Sequence, residues 1–189
     1  MVPAHKDVLS AKGRTSVQKL GDSLSQFLLR QPDPRTNVIV RHSESVRCVH
    51  TARVLAEKLY QCQSFHIDVK PVSGLKELPK WDYQSVTTTP SEDQLITQWI
   101  EATFDPSVDP STAVIVVTHG NIARKGLHRF LGWPSNVQFG PATASMTVID
   151  WNVTTNEKVV HVMGECCHTG PTSLTWKNQD LFTKPSTSL

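Results

Sequence analysis

Nowhere does this chain run near the roughly eighteen consecutive apolar residues that a membrane-crossing helix needs, so no transmembrane span is expected. The opening MVPAHKDVLSAKGR has no apolar core of the kind a secretion signal carries, and the expected location is cytoplasmic. Net charge is only +2, too small to argue for nucleic acid or a membrane surface as partner. The four cysteines, Cys48, Cys62, Cys166 and Cys167, show no zinc spacing. The adjacent pair with His168 beside it is a poor tetrahedral site, so no metal is expected and the thiols are taken as reduced. The Asn152-Val153-Thr154 sequon is read as a chance match in the absence of a secretion signal. No internal repeat is present. What is present is ordinary for one globular domain: 189 residues, 38% hydrophobic and 19% charged, enough to bury most of the apolar surface exposed on unfolding.

Along the chain, helical and strand periods alternate. TSVQKLGDSLSQFLL (15–29) puts Val17, Leu20, Leu24, Phe27 and Leu28 on one helical face, and Pro32 and Pro34 end it. TNVIV (36–40) reads as a strand. From Val46 a second helix carries Val49, Ala52, Leu55, Ala56 and Leu59 on one stripe, and FHIDV (65–69) is a further strand, so 36–69 has βαβ character. After a loop, SEDQLITQWIEATF begins with Ser91 and Gln94 at capping-box spacing behind Pro90; Leu95, Ile96, Trp99 and Ile100 are its expected buried face. AVIVV (113–117) is a buried strand, followed at once by the helix NIARKGLHRFLG, which Gly132 and Pro134 close. SMTVIDW and KVVHVM predict a hairpin around NVTTNE. Residues 171–189 are polar enough to be a loose tail behind a domain spanning 1–170. The order predicts an α/β fold, a three-layer sandwich whose mostly parallel sheet has helices on both faces.

Sites in such sheets form just past the carboxyl ends of the strands. Two strand ends carry chemistry. After VIVV come Thr118, His119, Gly120 and Asn121; after NVIV come Arg41, His42 and Ser43, with Arg47 in the next helical turn. Gly120 lets a ligand approach the backbone, and the N–H groups opening the helix at Asn121 favour an anion. Arginine offers a two-pronged grip on phosphoryl oxygens, and histidine can donate a hydrogen bond or a proton. Taken singly, His119 could be a satisfied polar group at a strand end and Arg47 a surface arginine.

In series, the motifs resemble the histidine phosphatase superfamily, the phosphoglycerate mutase-like proteins. DVLSAKGRTSVQKLGDSL (7–24) is similar to the family's Leu-Ser/Thr-x-x-Gly-x-x-Gln stretch, with one extra residue before Gln18. SVRCVHTARVLAEKL (45–59) resembles its Ser-Pro-Leu-x-Arg-x-x-Gln-Thr-Ala helix, with Arg47, Thr51 and Ala52 in register. GLKELPKWDY resembles the Leu-x-Glu segment. VVTHGNIARKGLHRFLG matches the second catalytic histidine motif closely, and ATASMTVIDW resembles the strand after it. The resemblance implies a phosphomonoester-hydrolysing pocket that needs no metal or organic cofactor. In it Arg47 clamps phosphate, His119 stabilises its developing charge, and Glu77 protonates the leaving oxygen. Gly120 and Asn121 contribute at the helix N-terminus.

The resemblance also implies a strand ending in Arg-His-Gly, whose histidine is the nucleophile, upstream of the Leu-Ser stretch. MVPAHKD supplies neither the strand nor the pair. VIVRHSES imitates it, making His42 a substitute nucleophile on one reading and a residue at the phosphate-pocket rim on another; the spacing from Arg47 to Ala52 argues for the second. Losing a central strand is expected to leave backbone unpaired and a void in the core. A reading begun late in a longer gene, a degenerate member, or another segment filling the gap would each account for it. The expectation is a phosphatase of a phosphorylated metabolite or phosphoprotein, weak or inactive in this form. The alternative is a non-catalytic phosphoryl-binding module. The short 71–90 loop, without a basic cluster, disfavours a highly charged substrate. Neither the substrate nor the oligomeric state is readable.

Overall fold

Leucine recurs at helical spacing through Leu20, Leu24 and Leu28, and the chain winds there into α1 (Ala11–Leu29). A computed structural model describes residues 8–78, 88–134, 137 and 140–165. The expected tail, Cys166, Cys167 and His168 lie outside these residues. Helix α1 starts a turn earlier than the apolar stripe suggests, because the Ser10 side chain accepts from the Gly13 N–H and satisfies an orphan donor of the first turn. The strand β1 (Asn37–His42) follows, then α2 (Val46–Gln61) and β2 (His66–Pro71). A 3-10 turn at Ser73–Leu75 leads to α3 (Pro90–Thr103), β3 (Thr112–Val117) and α4 (Gly120–Leu131). The hairpin of β4 (Met146–Trp151) and β5 (Lys158–Glu165) comes last.

The capping box of α3 sits two residues earlier than the sequence reading placed it. Thr89 is the N-cap and Glu92 its reciprocal partner, with Pro90 in the first helical position. Proline belongs there because its missing N–H is one of the orphans, which makes Thr89, not Ser91, the residue outside the helix. At the other helix with a marked end, Gly132 takes the left-handed conformation that closes α4, with φ of 67°.

The strands β2, β1 and β3 form one parallel sheet in that order, with His42 level with Val117. Helices cover both faces, as expected of an α/β chain. Val38, Val40, Ala113 and Val117 pack with α1 and α2, while Val116 points the other way toward Trp99, Ile122 and Leu127. Each fully buried Leu or Val removes about 1.5–3 kcal/mol worth of apolar surface from water. The α3–α4 crossing is close because Gly126 has no side chain; a Cβ there would fall inside the Trp99 indole.

Among the described residues the ladder divides: β4 and β5 pair antiparallel as a sheet of their own, and β3 stands at an edge. The hairpin instead joins by side chains. Met146 packs on the α1–α2 core, Ile149 on the α3–α4 core, and Trp151 meets Phe104 and Phe130 edge-on at 6.1 and 5.6 Å between ring centroids.

Candidate functional site

Because β1 and β3 are parallel neighbours in register, their carboxyl ends finish side by side. The Ser43 N–H donates to the Val117 carbonyl at 3.0 Å, extending the ladder by one step. From these tips the chain enters α2 and α4, so the chemistry at 118–121 and at 43–47 lies at the same end of the sheet.

His119 is the N-cap of α4, with extended backbone and no capping hydrogen bond from its side chain. Its side chain is 3% exposed, and both ring nitrogens are engaged. Nδ1 lies 3.0 Å from the Arg47 guanidinium, and Nε2 lies 2.9 Å from Ser43 Oγ. Arg47 also donates to the Glu77 carboxylate, whose oxygen is 3.9 Å from His119 Nδ1. Arg47 and Glu77 are half-exposed, at 43% and 41% of their side chains, whereas His119 forms the floor. The structure thus brings Arg47, Glu77 and His119 together from three separate parts of the sequence.

Glu77 stands where it does because the segment carrying it is clasped twice. Trp99 Nε1 donates to Thr118 Oγ1 at 3.2 Å, and that hydroxyl donates to the Leu75 carbonyl at 3.3 Å. Asn121 Nδ2 donates to the Leu78 carbonyl at 3.0 Å. Leu75 and Leu78 are both buried in the α3–α4 core. Asn121 is therefore spent on the loop, its Oδ1 accepting from the Ile122 N–H, and it holds Glu77's segment against α4. Gly120 occupies the first position of α4, beside His119.

His42 goes elsewhere. Successive residues of a strand point to opposite faces, so His42 shares the α2 face with Val38 and Val40. It is buried, its Nδ1 is 3.0 Å from the Ser43 carbonyl, and it lines a groove with Val49, Arg53, Tyr60 and Val69. Arg41 points to the other face and holds the Ala102 carbonyl and Asp105 at 2.8 and 2.9 Å. The apparent Arg-His pair is thus split by the pleat. The residue that meets His119 from this strand end is Ser43, which the sequence places at the strand tip without a role. Its signal was its place one step past β1, level with Thr118 once the two strands are paired in parallel. Cys48, taken from the sequence only as a reduced thiol, also reaches this ring: its Sγ is 3.8 Å from His119 Nε2.

Burial pushes the His119 proton affinity below its ordinary value, Arg47 pushes it the same way, and Glu77 opposes them. Arginine has donors and no acceptor, so the Nδ1 lone pair receives Arg47 and the neutral ring carries its proton on Nε2. Burial raises the Cys48 thiol, with Glu77 adding to the rise, so the thiol holds its proton at neutral pH. Among the described residues no cluster of three or more His, Cys, Asp or Glu could hold a metal ion, and no helix is long and apolar enough to cross a membrane.

No family model and no curated protein matches the chain. Among solved structures, a phytase from Klebsiella aligns over 82% of this chain and 38% of its own at 14% identity, with a TM-score of 0.32. A phosphoglycerate mutase from Plasmodium falciparum aligns over 80% of this chain and 91% of its own at 16% identity, with a TM-score of 0.54. With β2, β1 and β3 parallel and helices on both faces, that likeness shows the fold: this chain is phosphoglycerate mutase-like in architecture.

Proposed function

We propose that Arg47, His119 and Glu77 form a pocket for the phosphoryl group of a phosphomonoester, a phosphorylated metabolite or phosphoprotein, in a site of the histidine phosphatase type. The observation that carries this reading is the convergence of the Arg47 guanidinium and the Glu77 carboxylate on the Nδ1 edge of a buried histidine at a helix N-terminus. A phosphoryl oxygen replacing Glu77 on Arg47 gains a charge-assisted pair beside the positive end of α4. Glu77, freed at the mouth of the pocket, is placed to protonate a leaving oxygen. No metal or organic cofactor enters this scheme.

A second reading, phosphoryl binding without turnover, is favoured by one observation. Among the described residues, the side chains that converge on the His119 ring are Arg47, Glu77, Ser43 and Cys48, with no second imidazole among them. The test is hydrolysis of an aryl phosphate at acid pH together with calorimetric titration of inorganic phosphate. Turnover that vanishes in His119→Ala and with vanadate supports the phosphatase. Phosphate binding without turnover supports the binding module. Absence of both sinks the phosphoryl site.

A further inference from the structure

The Nδ1 edge of His119 faces the half-exposed Arg47 and Glu77, while the Nε2 edge faces the buried Ser43 and Cys48. An anion approaching from the exposed side, past Arg47 and Glu77, therefore meets Nδ1. In the unliganded site that nitrogen is an acceptor, because the group beside it is a guanidinium. A phosphoryl oxygen that takes over the guanidinium is itself an acceptor, and the ring can serve it only with a proton on Nδ1. Because burial disfavours the charged imidazolium, the ring that serves the ligand stays neutral and must exchange its donor and acceptor edges, and whatever holds the buried edge must tolerate both states.

Ser43 meets that demand. It is 3% exposed, and its Oγ is 2.9 Å from Nε2. A hydroxyl both accepts and donates, which no carboxylate or ammonium in that place could do. Its backbone is fixed by the hydrogen bond to Val117, and its Oγ also accepts from the Ser45 N–H at 3.4 Å. The Cys48 sulfur is a weaker and longer partner for the same nitrogen.

We propose that Ser43 is a positioning residue for His119, a hydroxyl that accepts from Nε2–H in the free site and donates to Nε2 once phosphate occupies Arg47. The proton balance is closed: one proton arrives at Nδ1 from water at the pocket mouth, one leaves Nε2 to water, and the ring stays neutral. The proposal rests on the phosphoryl reading above, but its first arm needs no ligand.

The experiment is nitrogen NMR of the full chain with 15N-labelled histidine, with and without saturating inorganic phosphate, in wild type, Ser43→Ala and Ser43→Thr. In wild type at pH 8 the expected proton is on His119 Nε2 without phosphate and on Nδ1 with it. Ser43→Ala is expected to weaken phosphate binding about tenfold, the scale of one buried hydrogen bond, and Ser43→Thr to restore it. A free ring already protonated on Nδ1, a bound ring still protonated on Nε2, or a folded Ser43→Ala chain that binds phosphate as wild type does would each overturn the proposal. If Ser43→Ala does not fold, the wild-type spectra and Ser43→Thr decide. If wild type binds no phosphate, the phosphoryl reading fails and the proton exchange with it, while the phosphate-free spectrum still tests the Ser43 contact.

Discussion

The tips of β1 and β3 lie side by side and each runs into a helix, yet they deliver chemistry in different ways. At β3 the chain turns within Thr118 and His119, so the reactive residue is the helix cap itself and contiguous residues stay together. At β1 the turn takes in Ser43, Glu44 and Ser45, and the functional groups scatter. Arg41 goes to one face of the sheet, His42 to the other, Ser43 to the His119 ring, and Arg47 returns a helical turn later. A motif confined to one short turn survives folding as a unit. A motif spread along a strand end is divided by the pleat.

The sharpest way to break this comparison is to release the β3 tip from the core. Trp99 is buried against Gly126 and holds Thr118. Trp99→Ala is expected to cost about 4 kcal/mol in urea unfolding, from the cavity it leaves, and to loosen the tip. An unfolding loss under about 1 kcal/mol would show that the clasp does not anchor that end.

Next in size, the two tips can be set against each other by phosphate titration. Arg47→Met removes a charged donor and is expected to weaken binding about 10- to 100-fold. His42→Ala, in the α2 groove, is expected to leave affinity within about twofold on the same scale. Equal losses in both variants would place His42 in the pocket after all.

Asn121→Ala tests the clasp on Glu77's segment. It strips the Leu78 carbonyl of the Asn121 amide and leaves a buried acceptor, at an expected cost of about 1–2 kcal/mol in thermal or urea unfolding. No measurable loss would mean that the Leu78 contact contributes nothing to holding the loop.

The smallest effect is in pH. The His119 ring binds protons less readily folded than at its ordinary value of 6.5, so the unfolded chain takes up the proton first. The stability this confers is fully present above about pH 6.5 and is lost as pH falls from there toward the lower folded value. Melting temperature is expected to drop more between pH 7 and 5 in wild type than in His119→Gln. Parallel curves for the two chains would contradict the depressed proton affinity.

Much of this was legible in the residues. Apolar periodicity marked the helices and strands, Gly132 marked the close of α4, and His119 was readable as a strand-end histidine aimed at a helix N-terminus. Where the reading slipped, the cause was local geometry competing with pattern. Ser91 and Gln94 fit a capping box by spacing, but the proline between Thr89 and Ser91 belongs inside the first turn and moved the cap to Thr89. Arg41-His42 fit a motif by letter, but alternate residues of a strand cannot share a face.

The sequence by itself determined the elements and the delivery of His119 to a helix start, because both follow from periodicity and from backbone chemistry within a few residues. Tertiary structure decided what His119 meets. The parallel register of β1 on β3 set Ser43, rather than His42, against its ring, and buried Leu75 and Leu78 fixed the segment that carries Glu77 to Arg47. Those meetings span tens of residues of chain, and only the closing of the two cores on either side of the sheet brings them within hydrogen-bonding reach.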